Sequence, residues 1–177
     1  HSLKIEKIHN NLPDVIIAVH FAGSSCDMAA LYNLSKEYHF KIIEDASHAI
    51  GGKYLGKYIG DCTFSDACIF SFHPVKIITS GEGGAVTTNK EGLARIISSL
   101  RSHGTDKKLA KFSWEYHQNV LGYNYRMPDI NAALLGSQLK NLDIFVRKRN
   151  EKANFYKNSL ADTNIQYQKI SEKNYSA

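Results

Sequence analysis

Proline, cysteine, methionine and tryptophan are all scarce in this chain: 177 residues hold 3 Pro, 3 Cys, 2 Met and 1 Trp. So little proline excludes a Pro-rich linker, and no repeat or low-complexity tract divides the chain. Cys26, Cys62 and Cys68 are odd in number and form no CxxC pair, so neither a disulfide framework nor a zinc ribbon is supported. A reducing cytoplasm is the expected location. Eight histidines show no HExxH and no close ligand spacing, and no metal is expected. Mean hydropathy is −0.33 and no long uncharged apolar run occurs, which excludes a membrane-spanning helix. Charge of one sign is also lacking. Lys and Arg number 22 against 17 Asp and Glu, and the lysines are scattered, so no nucleic-acid partner is expected.

What remains is the balance of a globular domain, 43% hydrophobic and 22% charged. Val15 to His20 is a short, β-branched apolar run, which predicts a strand buried on both faces. Asp27 is placed to cap a helix with Leu31, Leu34 and Tyr38 at helical spacing, and Phe40 to Glu44 reads as the next strand. Strand, helix and strand within thirty residues make a βαβ unit. Gly51, Gly52, Gly56 and Gly60 mark a loop or small hairpin. Strands are expected at Ala67 to Phe72 and Ala85 to Thr88, with Gly83-Gly84 turning between them. Helices are expected at Ala94 to Leu100, from Pro128 to about Leu139, and after Asp143, the last with Val146, Ala153, Tyr156 and Leu160 on one face. His1 to Asn11 is charged and reads as leading directly into the first strand, as if the chain were a piece of a longer protein.

Three segments carry candidate chemistry. Asp45 ends the second strand, where open α/β sheets gather ligands; a helix cap explains a carboxylate there equally well. His48 follows three residues later and alone reads as a structural histidine. Lys76 lies after the third strand, flanked by Val75, Ile77 and Ile78 and followed by a glycine-rich loop. Apolar neighbours favour an amine nucleophile, although a lysine with a packed stem and a solvated ammonium fits the same pattern. Asn124 sits between two tyrosines before a helix, able to donate its amide to an anion or to serve only as a turn residue. The phosphate loops GxxxxGK[ST] and GxGxxG are absent.

Taken together, Glu44-Asp45-Ala46-Ser47-His48-Ala49-Ile50-Gly51, Phe70-Ser71-Phe72-His73-Pro74-Val75-Lys76, Gly81-Glu82-Gly83-Gly84-Ala85-Val86, Arg101-Ser102-His103-Gly104 and Gly122-Tyr123-Asn124-Tyr125-Arg126-Met127 resemble the DegT/DnrJ/EryC1/StrS family of sugar-nucleotide aminotransferases. Val19-His20-Phe21-Ala22-Gly23 precedes them in family order, and the likeness runs from about Val15 to Leu160. It is nearest to the branch that aminates UDP-4-keto-6-deoxy-N-acetyl-hexosamines toward pseudaminic acid.

The resemblance implies an α/β fold: part of the large domain of the aspartate-aminotransferase-like fold, with a mixed, mostly parallel sheet and helices on both faces. Residues 1–142 would belong to the cofactor-binding domain. Residues 143–177 would be a long helix leading toward a smaller C-terminal one. The implied cofactor is pyridoxal 5′-phosphate, with Lys76 as its Schiff-base lysine. Asp45 would sit under the pyridine nitrogen, Ser71 would bind the phosphate and His48 would lie near the ring. Asn124 would reach the phosphate of a partner subunit in a homodimer with shared sites. Substrates would be a UDP-sugar and an amino-acid donor such as glutamate. Relatives with histidine in place of the lysine dehydrate instead, so Lys76 implies amino transfer. Family members run to about twice this length, a large domain plus a small one. The other readings are a non-catalytic remnant, an α/β interaction or structural module that kept the motifs without cofactor, and a nucleotide-binding α/β module of another kind, which the missing phosphate motifs disfavour.

Overall fold

Four of the five residues in Val15-Ile16-Ile17-Ala18-Val19 are β-branched, and they form β1 (Val15–Val19). The computed structural model describes residues 2–8, 11–105 and 111–177. Helix α1 (Ser2–Ile8) precedes β1, so the chain does not enter its first strand directly. Helix α2 (Met28–Tyr38) follows, then strand β2 (Lys41–Asp45), and β1 and β2 pair in parallel from Val15 opposite Lys41 to Val19 opposite Asp45. The βαβ unit read from the sequence is therefore present. Asp27 caps α2, its Oδ1 accepting the Ala30 N–H at 3.2 Å and the Tyr54 hydroxyl at 2.6 Å. At the other end His39 takes the left-handed conformation that stops the helix.

Strands β3 (Lys53–Tyr54) and β4 (Lys57–Tyr58) form the small hairpin. Leu55 and Gly56 turn it, both with positive φ. Strand β5 (Ala67–Ser71) pairs in parallel with β2, and β6 (Gly84–Thr87) pairs antiparallel with β5. The main sheet thus has the order β1-β2-β5-β6 and is mixed and mostly parallel. Helices α3 (Glu91–Arg101), α4 (Asp129–Leu139) and α5 (Leu142–Ser159) complete the chain with β7 (Asn174–Tyr175), which adds to β3. No described helix is long and apolar enough to cross a membrane.

Two burial expectations need correction. Strand β1 is covered on one face only: Ala18 is 5% exposed, while Ile17 on the other face is 60% exposed. Successive side chains alternate, and α2 packs on the Ala18–Ile42 side with Met28, Tyr38 and Phe40. On α5 only Val146 is buried, and Tyr156 of the expected apolar face is exposed. A second core group, Ala46, Ala49, Ile59, Cys62 and Cys68, lies where β2 and β5 end.

Candidate functional site

Parallel strands β2 and β5 end side by side, and this places Asp45 next to Ile69 and two residues from the level of Ser71. Asp45 is half-buried. Its Oδ1 accepts the Ser47 N–H at 3.0 Å. Hydrogen bonds from the Ser47 side chain and backbone, with the positive charges of His48 and Lys76, hold its carboxyl below the ordinary range, against burial. Asp45, His48 and Lys76 therefore share one electrostatic neighbourhood. His48 is exposed, and its ring meets Phe21 at 5.8 Å between centroids.

Lys76 lies in the loop between β5 and β6, which several bonds fix at its base. The Phe72 N–H donates to Gly83 O at 2.8 Å, Ser80 N–H and Thr79 Oγ1 both donate to Phe72 O, and Lys76 N–H donates to His73 O at 3.0 Å. Asn131 of α4 donates to Ser80 O at 2.6 Å, tying the loop to that helix. Gly83 has φ +156°, and a Cβ there would lie 2.6 Å from Met127 Cε, so the turn before β6 requires glycine. Lys76 is half-buried. Its apolar flank is uneven, because Ile78 is fully buried while Val75 is 77% exposed. The enclosure expected from three apolar neighbours comes mainly from one side.

Ser71 closes β5, half-buried, with its Oγ 3.4 Å from the His73 N–H. Among the described residues the hydroxyl's own proton has no acceptor. Asn124 is exposed and lies apart. Its segment is held on the end of α3 by an antiparallel bridge to Ser102 and by bonds from Tyr123 N–H to Leu100 O and Tyr125 N–H to Arg101 O. Among the described residues no hydrogen bond joins its amide to the Asp45 cluster.

Sequence reasoning gave no role to a second set of polar residues behind this site. His20 is fully buried and Glu44 is 5% exposed; their side chains meet at 2.7 Å. Ser65 Oγ–H donates to the other Glu44 oxygen. Burial opposes charge on His20, but hydrogen bonding to Cys26 and Glu44 and the Glu44 charge outweigh it and raise the imidazole to about 9. The Cys26 N–H lies 3.3 Å from Nδ1 and donates to it in the neutral ring, while the Cys26 thiol donates to Val19 O at 3.2 Å. A signal existed. Glu44 and Asp45 are neighbours on one strand, so one carboxylate must face inward and needs a buried partner.

A cavity of about 1030 Å³ lies between α5 and the final residues, with Arg149, Lys152, Lys157 and Lys169 on its wall. It meets the rim of the site at Ala22, beside Phe21, and contains neither Asp45 nor Lys76.

The profile of the DegT/DnrJ/EryC1/StrS aminotransferase family matches residues 2–176. A UDP-4-amino-4,6-dideoxy-N-acetyl-β-L-altrosamine transaminase of Campylobacter jejuni is 44% identical over 160 residues, which is 90% of this chain and 41% of that protein. Among solved structures, Helicobacter pylori PseC, an aminotransferase involved in the biosynthesis of pseudaminic acid, superposes with a TM-score of 0.83 at 36% identity, over 93% of this chain and 43% of that one. The pyridoxal-phosphate form of a sugar aminotransferase assigned in Streptococcus pneumoniae, Spr1654, gives a TM-score of 0.80 at 27% identity, over 96% of this chain and 48% of that one. The chain therefore spans about two fifths of the length of the curated relative.

Proposed function

The chain belongs to the DegT/DnrJ/EryC1/StrS aminotransferase family, and from that premise we propose that the protein transfers an amino group to the 4-keto carbon of a UDP-linked 4-keto-6-deoxy-N-acetyl-hexosamine, with pyridoxal phosphate as cofactor and glutamate as donor. The likeness to an altrosamine transaminase supports the sugar class. The observation that carries the reading is the convergence of the β2 and β5 ends, which brings Asp45 level with Ile69 and two residues from Ser71, with Lys76 in the loop that β5 leads into.

The donor set fits the cofactor. A carboxylate held below the ordinary range, a primary amine in the loop after the neighbouring strand and a hydroxyl at that strand's end are the three groups such a ring, aldehyde and phosphate require. Pyridoxal phosphate, when bound, supplies the electron-withdrawing ring that makes amino transfer accessible. Asp45 would keep a proton on the pyridine nitrogen, because its own pKa lies low. Lys76 Nζ would hold the aldehyde carbon and move protons at the carbon that gains or loses nitrogen. Ser71 Oγ would donate to the phosphate, and the His48 side chain would border the ring. Asn124, free of the Asp45 cluster in its own chain, would donate to the phosphate of the partner site in a homodimer. By the same reading residues 1–142 form part of the cofactor-binding domain and 143–177 lead toward a smaller one, and the reaction takes place in the cytoplasm.

The experiment is amino transfer from glutamate to the UDP-4-keto sugar, read as 2-oxoglutarate formed. Lys76→Ala should lower turnover by about 10²–10⁴-fold or more, the range for a proton-transferring side chain. Undiminished transfer by that variant would overturn the assignment.

A further inference from the structure

The pair behind the site does more than fill the core. Glu44 and Asp45 point to opposite faces of β2, Glu44 inward beside Ala18 and Cys68, Asp45 toward the site. His20 grips this strand end twice. Its backbone N–H donates to Asp45 O at 2.9 Å, and its ring meets Glu44 at 2.7 Å. Ser65, just before β5, holds the second Glu44 oxygen. The next peptide is fixed as well, Ala46 N–H donating to Ile69 O at 2.9 Å. The backbone that carries Asp45 is thus clamped from β1 on one side and from β5 on the other. His20 and Glu44 at the centre of the clamp are buried, where such bonds are strong and their loss is poorly made good by water.

We propose that His20, acting through Glu44 and Ser65, is a positioning residue for Asp45: the Ser65–Glu44–His20 chain sets the depth and direction of the carboxylate that faces the cofactor site. This deepens the proposed function and rests on it for the identity of that cofactor. The Nε2 contact to Glu44 can persist as a hydrogen bond when the ring loses its charge, so the clamp keeps its geometry across pH while its strength falls as the ring is neutralised. The side chains that act on Asp45 from its own side are Ser47, His48 and Lys76; Glu44 lies behind it.

The test uses the chain without cofactor and reads the Asp45 carboxyl by ¹³C NMR titration. His20→Gln keeps an N–H donor for Glu44 and should retain the depressed Asp45 midpoint. The double variant His20→Phe with Glu44→Leu removes donor and acceptor together, so no buried charge is orphaned and folding is preserved. Its Asp45 midpoint should rise toward the ordinary carboxylate value as the bond from Ser47 loosens. Removing the Glu44 charge alone would move the midpoint down, so the sign separates lost position from lost charge. Pyridoxal phosphate should bind the double variant about tenfold more weakly than the parent, as for other outer partners of a bound group. A folded double variant with the parent's Asp45 midpoint and the parent's affinity would overturn the proposal. If the parent itself fails to bind pyridoxal phosphate, the proposed function falls, while the Asp45 titration still decides the positioning role.

Discussion

Raising the pH from 6 to 10 should destabilise the fold through one buried residue. His20 has a pKa of about 9 in the folded chain and the ordinary 6.5 when unfolded. Its folded-state pKa is the higher of the two, so the contribution is complete below pH 6.5 and disappears as pH rises through 9. About 2.5 pH units at about 1.4 kcal/mol each give roughly 3 to 4 kcal/mol. His20 is 0% exposed and Glu44 nearly so, so little solvent screens the pairing and the increment is of this order. That is a large share of the about 5–15 kcal/mol expected for a domain. The assay is urea denaturation at half-unit pH steps, with His20→Gln as control. The parent should lose most of the increment between pH 6.5 and 9. The Gln variant should be less stable at pH 6 and flat across the same window, since its side chain does not titrate. A flat parent, or an equal slope in the variant, would refute the assignment of charge to the His20–Glu44 pair.

Other changes have independent readouts. Asp27→Ala removes the cap of α2 together with the bonds from Tyr54 and Lys173, and thermal melting should show a loss of about 1–2 kcal/mol. In the parent, the Tyr54 and Lys173 side-chain bonds hold the Asp27 carboxyl down to about 2, so the stability it provides is present above pH 3.8 and lost as pH falls toward 2; with the side chain 52% exposed this amounts to about 1 kcal/mol or less. Gly104→Ala should cost about 2 kcal/mol or more, because φ is +70° and the new Cβ would lie 1.8 Å from Val120 O, backbone that cannot give way. Amide exchange at Asn119 and Tyr123, whose bonds run to and beside this turn, should accelerate with it.

The parts of the fold that were legible in the sequence are those written in local chemistry. A β-branched run, a capping aspartate and a helical recurrence of apolar residues located β1, α2 and β2, since each element is specified within a dozen residues. Strand β7 was not legible: Asn174 and Tyr175 have no apolar alternation, and their pairing with Lys53–Tyr54 is decided by contacts far away in sequence. Burial was misread where it depends on what lies across the sheet, as at Ile17, or across a helix face, as at Tyr156. At the site, the neighbouring ends of β2 and β5, which put Asp45 two residues from the level of Ser71, were legible because a βαβ pattern already implies parallel strand ends that converge. His20 and Glu44 went unassigned because the pairing register of Val19 with Asp45, which sets them side by side, is a property of the sheet and not of either segment.

The central claim is that Lys76 is the residue that carries the cofactor. The most direct measurement is a visible absorbance titration of the chain with pyridoxal phosphate, followed by borohydride reduction and peptide mapping. A saturable band, with the reduced label on Lys76 and on none of the other 16 of the 17 lysines, is the result predicted. Label scattered over many lysines, or a saturable band whose label maps elsewhere, would contradict it.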